Sequence, residues 1–594
     1  MPLPSTQSPN PRRRIAGARR PLGALLLASV AAGACACGSS HPTGTSADPA
    51  GVIPASAPLY AGATVRPSGA LMSAALADGR VLTRQANPYQ HLLALLQTPG
   101  SPALDYKRDV ASWLGPRAGV FFTALGASSA ARVSQLLTLL EQTLLGGSPP
   151  ASAFPFGAGG AQGAVVLDTS NLAAASAFLA SQAKLASAHA ATYRGVPYQL
   201  GSGGVAFAIV DRFAVIGSES ALHGVIDTTF GGPSLAHAGS YATLLGAAPA
   251  AAIAHLYADP AAFGALATQG ANPAGAAGIG NATALVAQLA GRRPLDVSFV
   301  PGAGSITLDA DSLGTGATSA PGGLLSSLAS GASALGELPG ESWLAAGLGE
   351  AHGRIGEDVQ GIRSLLSLVV PEAGANSESF SVAGLLGGIL KPLAVLGADT
   401  PQARRDFQSW MDSAAIFAGG NGLLELKAGV VIGSQDPALS RAAVSRLSQA
   451  LRAQGGSVTP TTIPGTEAAV AARLSGLPIV LDIAAGRDAA GQAKFVMGLG
   501  ESSVTAALNP SSTLAGSTSS QAGAAALGEA IKPSLIVDFP TLLGLLEAAG
   551  LSADPSISKF VPVIHSLNTL YGGGKSVGAS VQRLRLALSL AQSG

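Results

Sequence analysis

The chain has 594 residues, 47% of them hydrophobic and only 11% charged, with a formal net charge of +1. That apolar content exceeds what a disordered chain carries and predicts a sizeable core, in a length sufficient for two to four domains. The arginines at positions 12, 13, 14, 19 and 20 account for the basic excess. Without them acids outnumber bases, which argues against a nucleic-acid-binding surface.

The first segment is an address. Arg12-Arg13-Arg14 and Arg19-Arg20 precede an apolar run from Leu22 to Val30, followed by Ala31-Ala32-Gly33-Ala34-Cys35. A basic start, a short apolar centre and small residues before a cleavage point make an export signal, here residues 1–34. The apolar run is too short for a permanent transmembrane helix. Both cysteines of the protein, Cys35 and Cys37, stand at its end. This placement matches a bacterial lipoprotein signal, in which the cysteine becomes the lipidated, palmitate-bearing first residue. Ala32, Gly33 and Ala34 favour Cys35 as that residue, and Cys37 is the alternative. Lipidation predicts a protein on the outer face of the cytoplasmic membrane. A plain secretory cut near Ala34 or Ala36 predicts a soluble secreted one instead. No cysteine follows Cys37, so the body has no structural disulfide and no thiolate metal site.

Residues 35–51 are rich in Gly, Ser, Thr, Pro and Ala and read as a flexible tether. The body then runs through one pattern twice. In the first pass, residues 52–312, Leu59–Val65 reads as a strand, and Arg108-Asp109-Val110-Ala111-Ser112-Trp113 leads to a strand at Ala118–Ala124. A strand at Ala164–Leu167 follows, then a helix capped by Asp168, Thr169 or Ser170, with Leu172, Ala175 and Leu179 on one face. Next come a hairpin at Val205–Val210 and Phe213–Gly217, Ser218-Glu219-Ser220 with a short helix, Ser234-Leu235-Ala236, and strands at Ala251–Tyr257 and Ile306–Ala310.

Residues 313–336 form a Gly/Ala/Ser-rich junction, and residues 337–594 repeat the series. Arg405-Asp406-Phe407-Gln408-Ser409-Trp410 precedes strands at Ala414–Ala418 and Ala428–Ile432. Ser434 or Asp436, before Pro437, starts a helix with Leu439, Ala443, Leu447 and Leu451 along one face. Strands at Leu477–Ile483 and Lys494–Leu499, Gly500-Glu501-Ser502, Thr513-Leu514-Ala515, and strands at Ser534–Val537 and Leu584–Leu590 complete it. Hairpins interspersed with helices predict an α+β fold: two tandem related halves, each an antiparallel sheet covered by helices on one face.

The runs Pro54-Ala55-Ser56-Ala57-Pro58-Leu59-Tyr60, Ala63-Thr64-Val65-Arg66-Pro67, Trp113-Leu114-Gly115-Pro116-Arg117 and Phe207-Ala208-Ile209-Val210 resemble an exported, often actinobacterial, family. That family is known as domain of unknown function 3352. The resemblance is strongest over residues 52–260 and implies an extracytoplasmic protein of similar layout. It carries no catalytic residue.

Motifs of chemistry are sparse. None of the eight histidines falls in a His-x-His or His-Glu-x-x-His spacing, so no metal site and no cofactor is predicted. His255, on a predicted strand, reads as a satisfied sheet residue. Ser556-Ile557-Ser558-Lys559 fits Ser-x-x-Lys, but its Ser-Asp-Asn and Lys-Thr-Gly partners are missing, and Pro555 equally suits a helix start. Gly572-Gly573-Gly574-Lys575-Ser576 lacks the first glycine of a phosphate loop and reads as a flexible connection. Trp113 and Trp410 read as buried corners rather than as binding surfaces.

Two segments are greasy nearly all round, 133–145 and 362–396. Such helices are buried or touch something apolar. Leu136, Leu137, Leu140, Leu365, Leu366, Leu386, Ile389 and Leu390 are the candidate lining of an apolar-ligand site. The expected function is therefore non-enzymatic. It is a membrane-anchored lipoprotein that binds an apolar ligand or a cell-envelope partner. The alternatives are a structural module of the envelope without a ligand, or an envelope hydrolase using Ser556 and Lys559.

Overall fold

A computed structural model describes residues 47–83, 104–124, 156, 161–262, 293–314, 324–349, 351, 355, 408–422, 424–453, 455–473, 480–528, 530–550, 552, 558 and 561–591. Cys35, Cys37, Ser556, Lys559 and all eight candidate lining residues lie outside them.

The described residues form a mixed α/β protein built on one large antiparallel sheet. In chain order its strands are β1 (Leu59–Thr64), β2 (Leu114–Ala124), β3 (Gln162–Thr169), β4 (His189–Tyr193), β5 (Val196–Leu200), β6 (Val205–Val210), β7 (Phe213–Ser218), β8 (Ala254–Ala258), β9 (Leu295–Gly302) and β10 (Ser305–Leu313). They continue as β11 (Ser342–Leu348), β12 (Met411–Gly419), β13 (Lys427–Ser434), β14 (Ser457–Pro460), β15 (Thr466–Arg473), β16 (Val480–Arg487), β17 (Ala493–Leu499), β18 (Leu535–Asp538), β19 (Leu567–Val577) and β20 (Val581–Leu590). Pairing runs β4-β5-β6-β7-β3-β2-β1-β8-β9-β10 through the first ten. The β10–β20 pair joins these to β20-β19-β18-β11-β12-β13-β17-β16-β15-β14.

Central strands are buried almost end to end, as in β3 and β7. The reason is that helices cover both faces of the sheet, where the sequence predicts one covered face. Alternate residues of a strand point to opposite sides. On one side Val165 and Leu167 of β3 meet Ala175, Phe178 and Leu179 of helix Leu172–Leu185. On the other, Ala164 and Val166 meet Ala221, Leu222, Val225 and Ile226 of helix Glu219–Thr229. Strands buried on both faces lose the polar alternation that marks a half-exposed sheet.

Several local readings are refined. The cap of helix Leu172–Leu185 is Asn171, whose side chain accepts the Ala174 amide at 3.1 Å. Asp436 caps helix Pro437–Ala453, accepting the amides of Ala438 and Leu439. Leu439 itself is 40% exposed and lies off the apolar face, which Ala443, Val444, Leu447 and Leu451 form. The stretch Gly572-Gly573-Gly574 is not a loop but the middle of β19. Its glycines are required by close approach: a Cβ on Gly573 would strike the Lys532 carbonyl, and one on Gly574 the backbone of Ala329. Within the predicted junction, helices Leu324–Ser330 and Ala332–Gly336 place Leu324, Leu328 and Leu335 in the core.

Trp113 and Trp410 are both fully buried. Trp113 donates its indole N–H to the Asp109 carbonyl at 2.8 Å and packs against Phe178. Trp410 packs against Phe495. Each Trp carbonyl accepts an amide at 2.8 Å from the chain entering the next helix, Ser170 in one case and Gln435 in the other.

The centre of the sheet is charged. Asp309 and Asp311 of β10 face Arg585 and Arg583 of β20 in direct register. Both aspartate side chains are 0% exposed. Arg585 and Asp309 make a two-pronged pair at 2.7 Å in each bond, as do Arg583 and Asp311. Arg583 also reaches Asp309 at 3.1 Å. The spare donors go to helix ends. Arg583 binds the carbonyl of Ala247, the last residue of helix Gly239–Ala247, and Arg585 binds that of Leu527, the last of helix Thr518–Leu527. A cation at these ends also meets the negative pole of the helix. The bond to Asp311 holds the Arg583 guanidinium above its ordinary range.

Two predictions follow from this architecture. Asp309→Ala leaves two buried guanidiniums short of a partner and should destabilise by about 3–5 kcal/mol in urea unfolding. Adding Arg585→Ala should cost less than the two single losses together, because the pair acts as a unit. The second concerns Asp78, on helix Gly69–Thr83, which is 1% exposed. Burial pushes its carboxyl up to about 7, against the opposing pull of the Gly302 and Gly304 backbone. A raised carboxyl pKa contributes stability at acid pH that is lost as pH rises through 7. Asp78→Asn should therefore match the wild type near pH 4 and exceed it near pH 8, by at most about 4 kcal/mol.

Candidate functional site

The site is built on the β13–β17 ladder, and its counterpart in the pairing order is the β3–β7 ladder. The latter runs from Ala164↔Gly217 to Asp168↔Phe213, the former from Gly429↔Gly498 to Gly433↔Lys494. At the end of the β3–β7 ladder the space is filled. Phe213 is 2% exposed in an apolar cluster, and Asp168 is wholly buried and held by Arg212 at 2.8 Å. At the same end of the β13–β17 ladder Gly433 has no side chain and Lys494 replaces the ring. A cavity of about 220 Å³ opens there.

Its walls are mostly apolar and small: Ala414 and Ala415 of β12, Val431 of β13, and Ala507 and Leu508 of helix Gly500–Leu508. Its polar lining is Lys494, only 7% exposed, with Glu337, Asp488, Ser413 and Thr513. The Lys494 ammonium donates to Glu337 Oε2 at 2.5 Å and lies 3.6 Å from Asp488 Oδ2. The two acids differ. Asp488 Oδ1 accepts the amides of Ala490 and Gln492 and so fixes the β16–β17 loop. Glu337 follows the short helix Ala332–Gly336, and its side chain is 55% exposed. The cavity is smaller than the ~300–1,000 Å³ of sites that enclose drug-sized ligands, which restricts it to a small one.

A second polar cluster lies on the same face as the charged seam. His255 Nδ1 is 3.2 Å from Asp296 Oδ1, and Tyr60 and Tyr241 pack around the imidazole. The pairing has the outline of an Asp–His dyad. The neighbouring hydroxyl, Ser298, donates to Asp296 at 3.0 Å and not to the imidazole. Burial raises Tyr60 well above its ordinary range, so the phenol stays neutral. His255 thus sits as a paired sheet residue, as its strand position predicts. Among the described residues no group of three or more His, Cys, Asp or Glu is placed to hold a metal ion. Among the same residues no helix is long and apolar enough to cross a membrane.

Lys494 was visible in the sequence only as the first residue of a strand. The signal that could have singled it out is a lysine opening a strand of Phe495, Val496 and Met497, opposite a glycine. Recognising it requires the register between β13 and β17, which the sequence does not carry.

The chain belongs to a family described as protein of unknown function (DUF3352), which matches residues 22–546. No curated protein and no solved structure matches it.

The contrast between the two ion-paired sites is testable. Lys494→Met removes a charge whose main partner is already half in water, so the fold should hold to within about 1 kcal/mol in urea unfolding. A loss as large as that expected for Asp309→Ala would mean that Lys494 is part of the structural core.

Proposed function

We propose that this member of the family is an exported, lipid-anchored binding protein without catalytic chemistry, and that its ligand site is the cavity beside Lys494. The observation that carries this reading is the open end of the β13–β17 ladder. A mostly apolar hollow with a buried ammonium and a few further polar side chains is the form of a small-molecule site, in which few polar groups set orientation and specificity. Its size restricts the apolar ligand expected from the sequence to something much smaller than a diacyl lipid. The greasy segments 133–145 and 362–396 are assigned to contact with the membrane or with an envelope partner.

We also propose that the body is two tandem related halves, residues 52–312 and 337–594. The support is the pairing order itself. Adding ten to each strand number of the first run gives the second, through all ten places. The isolated bridges agree, with Pro54 opposite Ser234 and Pro339 opposite Thr513. So do the paired roles of Trp113 and Trp410. On this reading one half kept its cavity and the other filled it.

The anchor at Cys35 is part of the proposal. Cys35→Ser should release the full chain from the membrane fraction of an exporting bacterial host into the medium or soluble fraction, while Cys37→Ser should not. Native mass spectrometry of the full chain should find a small bound molecule that Val431→Phe, which fills the cavity, removes. A bare mass for the wild type across preparations from different growth media would contradict the binding role.

A further inference from the structure

The donor inventory of Lys494 says what kind of headgroup the cavity takes. An ammonium has three N–H donors. Among the described residues Lys494 makes one hydrogen bond, to Glu337, and Asp488 at 3.6 Å is too far for a second. Two donors of a group 7% exposed therefore face the cavity without an acceptor. A buried donor without a partner is costly, and although Ser413 and Thr513 are also in the cavity wall, the ammonium's one hydrogen bond among the described residues is to Glu337. The cavity is therefore suited to a ligand that brings an acceptor.

Glu337 shows what form that acceptor takes. Its carboxylate supplies the one hydrogen bond the ammonium has, yet its side chain is more than half in water. Among the described residues its side chain is held by the lysine alone, and an ion pair with an exposed partner is worth little. Asp488 is different, because two backbone amides fix its carboxylate. It stays, and its charge disfavours any second negative charge beyond one. We infer that the ligand is a small monocarboxylate with a short apolar chain, and that Glu337 is its built-in stand-in. The incoming carboxylate takes both free donors and displaces Glu337 into water. The chain lies along Ala414, Ala415, Val431 and Leu508. The local charge balance is the same before and after, with one ammonium against two carboxylates. This inference rests on the reading of the cavity as the ligand site.

The test compares two probes of one length and opposite charge, hexanoate and hexylamine, by equilibrium dialysis against the full chain. Wild type, Glu337→Gln, Lys494→Met and Val431→Phe are measured, with thermal melting to confirm that each is folded. Hexanoate should bind the wild type and bind Glu337→Gln more tightly, because the internal competitor is gone. Lys494→Met should lose about tenfold or more of that affinity, the scale of a charge-assisted bond. Val431→Phe should lose binding. Preference for hexylamine, weaker hexanoate binding by Glu337→Gln, or unchanged binding by Lys494→Met would each overturn the carboxylate assignment. Binding of neither probe to the wild type or to Glu337→Gln would overturn the cavity reading itself. If Lys494→Met does not fold, the Glu337→Gln comparison decides alone.

Discussion

The antiparallel pair of β10 and β20 is the join on which the rest of the sheet depends. Among the described residues every other strand pairing lies within one run of ten, and this ladder makes the two runs a single sheet. At its middle the ladder carries two buried Asp–Arg pairs in direct register. Charges of this kind are poor sources of net stability, since desolvation offsets their attraction. Their effect here is on register. A slip of β20 by one residue against β10 would turn Arg583 and Arg585 into the opposite apolar layer, where Ile306, Leu584 and Leu588 pack, and part them from Asp309 and Asp311. The guanidiniums also reach one helix end on each side of the join, so the helices of both runs are set relative to the same four side chains.

This complementarity has a consequence for the halves. If they are related, Asp309 and Arg585 stand at matching places and carry opposite charges. A strand bearing Asp at that place cannot pair with a copy of itself without burying like charges side by side. The join therefore selects one half of each kind in a single chain and works against association of two copies through the same edge. The ladders at corresponding places in the pairing order differ as well. Phe213 with Asp168 and Arg212 closes one, while Gly433 with Lys494 opens the other.

Much of the fold was legible in the sequence, for physical reasons that particular elements make clear. The hairpin β6–β7 was readable because apolar runs flank Asp211-Arg212, and helix Pro437–Ala453 because an acid and a proline open an amphipathic stretch. Trp113 and Trp410 marked the same corner twice. The glycine run in β19 misled, because glycine signals a turn unless the neighbouring layer is known to press on the strand. The covering of both faces was hidden for a related reason: doubly buried strands and buried helices share the same unpatterned apolar composition. The candidate site was the least legible part. It arises from which residue stands opposite which, Gly433 against Lys494, and from a glutamate more than a hundred residues away in sequence.

Amide hydrogen exchange on the full chain, read by mass spectrometry through a urea series, tests the central role of the join most directly. The account predicts that peptides from β10 and β20 are among the slowest to exchange. It also predicts that they open only with global unfolding, so that the two runs of strands lose protection together. Early exchange of β10 and β20, with the outer ladders of each run still protected, would show two bodies that fold without the join and would contradict the account.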